Sequence, residues 1–153
     1  MDERDFITDD EVLYRRIPQS QVSFDSIPRP SKESCRPGDA DVLGLSVFRA
    51  AFVRPEELGS LVKPKAYYVA VLSVRKLREL GIAVRPDALC SGLPGHAILP
   101  GLTAEGRGTN EQHVLAARLA AEVVEAPLLG PFEPKGTREV ILGVPPATQP
   151  ENR

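Results

Sequence analysis

Tryptophan is absent, methionine occurs once, and 153 residues hold only two cysteines and two histidines. Each shortage closes a route. With aromatics at 5% there is little material for a platform on which nucleic-acid bases could stack. Nineteen basic residues against 21 acidic ones give a net charge of -2, without the basic excess of a nucleic-acid binder, so no nucleic-acid partner is expected. The longest apolar run, Ala66 to Val74, is about half the length of a membrane-spanning helix, and no membrane role is expected either. Cys35 and Cys90 are too few to form a disulfide framework. The start, Met1-Asp2-Glu3-Arg4-Asp5, is acidic where a secretory signal is basic and then apolar. The expectation is a cytoplasmic protein with free thiols. Walker loops, Gly-x-Gly-x-x-Gly after a strand, His-Glu-x-x-His, Cys-x-x-Cys and Gly-x-Ser-x-Gly are all missing, which argues against the common nucleotide, zinc and serine-hydrolase classes. No metal site is expected.

What is present is an ordinary globular composition, 42% hydrophobic and 26% charged, at a length suited to one domain with a real core. Fifteen prolines, about twice the usual share, predict long irregular connections. Residues 1–11 read as an acidic lead-in, 12–143 as a single α+β domain and 144–153 as a proline-rich disordered tail. Val12 to Ile17 alternates as a strand, and an arginine falls on either face, Arg15 with Leu13 and Ile17, Arg16 with Val12 and Tyr14. Leu43 to Arg49 and Ala66 to Leu72 read as further strands, the second apolar on both faces and therefore central. Ser73 is placed to cap a short helix ending at Gly81, and Ile82 to Val84 follows as a strand. Pro55 opens a short helix with Leu58, Leu61 and Val62 inward. Two copies of Leu-Pro-Gly, Leu93-Pro94-Gly95 and Leu99-Pro100-Gly101, bracket a strand from His96 to Leu99. Thr109 and Gln112 form a capping-box pattern at the head of a helix running to about Glu125, apolar over most of its circumference. Arg138 to Leu142 reads as a last strand. The sum is a mixed sheet of about five short strands covered by two or three helices.

Few residues can carry chemistry. His96 and His113 are the only imidazoles, the side chains best suited to move protons near neutral pH. His96 begins a strand, whereas His113 sits in the first helical turn and points with Ala117 and Ala120 toward the apolar side. An arginine turned inward on the first strand needs a carboxylate, a phosphate or several carbonyls. The loop from Arg29 through Ser31, Lys32, Ser34, Cys35 and Arg36 mixes hydroxyls and cations in a manner that suits phosphate, and cations beside Cys35 would lower its pKa. Arg16, Arg29 and Ser31 are thus candidate ligand contacts.

Leu13-Tyr14-Arg15-Arg16-Ile17, Arg29-Pro30-Ser31, Leu45-Ser46-Val47 and His96-Ala97-Ile98 together resemble a family of small bacterial proteins with no assigned activity. The chain is also similar, more loosely, to ADP-ribosyltransferase-like toxin domains, which set an arginine on the first strand and a serine on a later one against NAD. That likeness implies Arg15, Ser46 and His96 as the catalytic, NAD-facing set, with Glu139 the sole candidate for the glutamate such domains carry on a late strand. Two functions are therefore expected. The leading one is a non-enzymatic binding module without cofactor that meets a protein partner, or a second copy, through helix 110–125. The alternative is a small NAD- or nucleotide-using transferase.

Overall fold

The computed structural model describes residues 6–24, 27–31, 34–38, 41–58, 66–88, 93, 95–125 and 127–133. Among these residues eight strands form two sheets: β1 (Val12–Pro18), β2 (Val22–Ser23), β3 (Arg29–Pro30), β4 (Leu45–Arg49), β5 (Tyr67–Ser73), β6 (Arg85–Pro86), β7 (His96–Leu99) and β8 (Leu129–Phe132). The main sheet has six strands in the order β6-β7-β4-β1-β5-β8, and β2 and β3 pair separately. The α+β character read from the sequence, one main sheet with few helices, is present. The sheet is not mixed, because every pairing in it is antiparallel. The physical reason lies in the connections. The helix α1 (Val74–Glu79) after β5 is too short to return the chain beside β5 as a parallel neighbour, and it carries the chain across to the far edge, where β6 pairs with β7.

β1 and β5 are the spine, in register over seven residue pairs from Val12↔Ser73 to Pro18↔Tyr67. Alternation then sorts side chains onto two faces. Leu13, Ile17, Leu45, Val47, Ala70, Leu72, Ala97 and Leu99 belong to the main core, shared with Leu77 of α1 and with Ala116, Leu119 and Val123. The opposite face carries a smaller cluster of Leu58, Tyr67 and Val69, with Tyr14, Phe48, Val53 and Phe132 packed around it.

Local signals account for most helix ends. Ser73 Oγ accepts from the Lys76 amide and caps α1, and Gly81 leaves it at a φ of 78°. Thr109 Oγ1 accepts from the Gln112 amide at the head of α2 (Asn110–Arg118), which widens into a π-helical stretch over Leu119–Val123. The other half of the expected capping box is diverted, since Gln112 Oε1 accepts from the Thr103 amide. Several expectations need correction. His113 is exposed. The segment after Pro55 makes one 3₁₀ turn, Pro55–Glu57, while Leu61 and Val62 lie outside the described residues. Residues 82–84 are irregular, and the strand begins only at Arg85. Arg138 to Leu142, Glu139, Cys90 and the tail also lie outside the described residues. No helix among the described residues is long and apolar enough to cross a membrane.

Candidate functional site

β4 and β7 pair with Phe48 opposite His96 and Ser46 opposite Ile98. Ser46 is therefore the diagonal neighbour of His96 on the same face, a separation that an imidazole ring can bridge. It does so: Ser46 Oγ lies 2.7 Å from His96 Nε2. On its other side His96 is bounded by the residue after β6. The Asp87 amide donates to the His96 carbonyl at 2.8 Å, which extends the β6–β7 ladder by one residue and sets the two side chains side by side. Asp87 Oδ2 lies 2.9 Å from His96 Nδ1.

The direction of this relay follows from its members. An ionised carboxylate only accepts, so Nδ1 carries a proton donated to Asp87. In the neutral ring Nε2 is then the acceptor, and the Ser46 hydroxyl donates to it. The His96 and Asp87 side chains are 11% and 12% exposed, and Ser46 is partly buried. The Phe48 ring lies 5.2 Å from the imidazole and flanks it.

Ser46 itself is pinned through its main chain. Its amide donates to Asp41 Oδ1 at 3.2 Å, and its carbonyl accepts from Arg15 Nη1 at 3.1 Å. Asp41 is fixed in turn by the Gly38 amide, at 2.7 Å. Gly44 permits this close approach of β4 to the end of β7, because a Cβ there would sit 2.8 Å from the Leu99 carbonyl oxygen. Gly95, at a φ of 75°, makes the turn into His96 and accepts a hydrogen bond from the Arg49 amide.

The sequence-derived candidates divide by face. Ser46 and His96 meet. Arg15 touches Ser46 only through the carbonyl, and its Nε donates to the Ser34 carbonyl at 3.0 Å. Its register partner, Ala70, belongs to the main core, so the guanidinium lies on the helix-covered side, away from the Ser46 hydroxyl. Arg16 is on the Ser46 side, opposite Val69 of β5. Continuing the β1–β4 register from Tyr14↔Phe48 by two residues sets Arg16 across from Ser46. The Arg16 guanidinium lies over the Tyr67 ring, 5.3 Å from its centroid. Its Nε is buried with no hydrogen-bond partner among the described residues, and burial pulls its pKa down, with Tyr67 opposing and Arg15 adding to the shift. An unpaired buried N–H of this kind costs about 1–3 kcal/mol.

Arg29 and Ser31 lie elsewhere. Arg29 is exposed on β3, and Ser31 belongs to a turn in which Ser34 Oγ and the Ser34 amide both donate to its carbonyl. That turn drives Cys35 into the main core. Burial pushes the Cys35 thiol up, against the opposing pull of Arg15 and the Ser34 hydroxyl, so the activated cysteine suggested by its cationic neighbours is not found. No group of His, Cys, Asp and Glu among the described residues is arranged to hold a metal ion.

Asp87 was not legible as a site residue. The one signal for it is the nine-residue separation from His96 across a hairpin whose first strand is just Arg85-Pro86. No family model, curated protein or solved structure matches the chain.

Proposed function

We propose that this protein is an acyl-transfer enzyme, a hydrolase of carboxylic esters in its simplest reaction, with Ser46 as nucleophile, His96 as general base and Asp87 as the residue that orients the ring. The observation that carries this reading is the continuous chain Ser46 Oγ–His96 Nε2 at 2.7 Å and His96 Nδ1–Asp87 Oδ2 at 2.9 Å. Such a constellation is recognised by geometry and role, so the missing Gly-x-Ser-x-Gly does not weigh against it. The NAD-transferase expectation has less support, because the Arg15 guanidinium is spent on two carbonyls from the opposite face. The binding-module expectation rests on missing catalytic motifs, on there being only two histidines and on the Ala-rich helix as an interface; the relay weighs against the first two grounds and leaves the third.

In the reaction Ser46 Oγ attacks the ester carbonyl carbon as its proton passes to His96 Nε2. The imidazolium, stabilised by Asp87, returns that proton to the departing alkoxide, leaving an acyl group on Ser46. Water then attacks the acyl carbon, its proton again passing to Nε2, and the free acid leaves with the serine restored. The test is hydrolysis of p-nitrophenyl butyrate by the wild type, Ser46→Ala and His96→Gln, with circular dichroism to confirm folding. Each variant is expected to fall at least about 100-fold in kcat/KM. Hydrolysis that survives Ser46→Ala unchanged would refute the assignment.

A further inference from the structure

On the face that presents Ser46, the partly buried cation Arg16 has no anionic partner among the described residues. Arg16 is neighboured there by Tyr14, Phe48, Tyr67 and Val69, which are apolar or neutral, and no carboxylate pairs with it among the described residues. Its contact with Tyr67 does not satisfy its hydrogen-bonding groups. A cation over a ring uses the flat face of the guanidinium, whereas its N–H donors lie in the plane and point outward from the edge. The edge that includes Nε is the one without a partner. Tyr67 is itself held away from competing for that edge, because its hydroxyl donates to the Pro55 carbonyl at 3.0 Å.

We infer that Arg16 is an anion-binding subsite beside the Ser46 relay, and that the substrate of that relay carries a carboxylate or phosphate group. This rests on the acyl-transfer reading for the word substrate, but the binding site itself does not. The Nη groups, which unlike Nε are not buried, offer N–H donors to an oxygen of either group, and a small reorientation of the side chain would open Nε as a second, parallel donor. β1 is the neighbour of β4 in the sheet, and the guanidinium leans from β1 toward Tyr67 on β5. One to two strand spacings, about 5–10 Å, therefore separate Ser46 Oγ from the anion, within the span of a small ester bearing an acidic group. The apolar surface beside them, where Tyr14 and Phe48 form the next cross-strand pair, suits the hydrocarbon part of such a molecule.

The experiment is done in the Ser46→Ala protein, which removes the nucleophile and leaves the anion site. Inorganic phosphate, succinate and, as a neutral control, succinamide are titrated by calorimetry, with and without Arg16→Gln. Saturable binding of at least one anion, lost by at least about tenfold in Arg16→Gln and partly restored in Arg16→Lys, is the expected result. Phosphate alone or succinate alone would each support the site and identify the group it takes. Overturning results are that neither anion binds, that succinamide binds equally well, or that Arg16→Gln binds as before while its circular dichroism matches the parent. If the anion binds and the wild type still hydrolyses no ester, Arg16 stands as a ligand site and the acyl-transfer reading falls alone.

Discussion

At the residue scale, few ionised groups are buried among the described residues, and the Arg49–Glu11 pair shows what pairing is worth. Arg49 is 4% exposed and Glu11 16%; Nε and Nη2 of the arginine donate to both carboxylate oxygens at 2.8 Å. Burial pushes the Glu11 carboxyl up, but hydrogen bonds from Arg49 and the Thr8 amide outweigh it, and the pKa ends below the ordinary glutamate value. With the folded pKa lowered, the stabilisation is complete above the unfolded value and is lost as pH falls through the folded one. Glu11→Ala should therefore cost about 2–3 kcal/mol at pH 7, since it removes the bidentate carboxylate from a buried guanidinium, and progressively less at pH values below the glutamate range. Urea unfolding of both proteins at pH 7 and pH 3 checks this, and an equal difference at the two pH values would contradict it. Arg16 is the contrast, a guanidinium on the same sheet with no such partner. Alternation along β1 made it legible that Arg15 and Arg16 take opposite faces. Which face was covered by helices and which held Ser46 depended on strand order, and no local pattern encodes that.

At the scale of elements, the site is built from the ends of short strands. β7 begins immediately after Gly95, and its first residue is His96. A Cβ on Gly95 would stand 2.7 Å from Phe52 Cβ, and the φ of 75° disfavours any side chain there. Gly95→Ala is expected to lower the melting temperature by roughly 3–10 °C. Gly108→Ala, with open space around the added methyl, is expected to leave it unchanged. Equal melting of the two variants would show that the turn into His96 tolerates a side chain. The doubled Leu-Pro-Gly made the bounds of this strand legible, whereas the strand expected over Leu43 to Arg49 begins only at Leu45, after Gly44. β6 and β8 escaped because each holds a proline, Pro86 and Pro131, that a periodicity reading takes as a strand stop. Losing β6 meant losing Asp87, the residue that converts a serine–histidine contact into a relay.

For the whole molecule, one sheet separates two kinds of work. The side under α1 and α2 holds the continuous core, and Arg15 and Cys35 belong to it. The other side carries the smaller cluster around Tyr67 and Val69 and gathers Ser46, His96, Asp87 and Arg16. An antiparallel sheet can do this because alternation makes its two faces independent. The central claim is that Ser46 is a nucleophile by virtue of His96 and Asp87. It is tested most directly by the rate at which an alkyl fluorophosphonate modifies the folded wild type and the Asp87→Asn variant, with the modified peptide identified by mass. The account predicts a single phosphonyl group on Ser46, and labelling at least about 100-fold slower in Asp87→Asn, where the ring loses the acceptor that fixes its tautomer. A wild type that stays unmodified, or an Asp87→Asn variant labelled on Ser46 at the same rate, would contradict it.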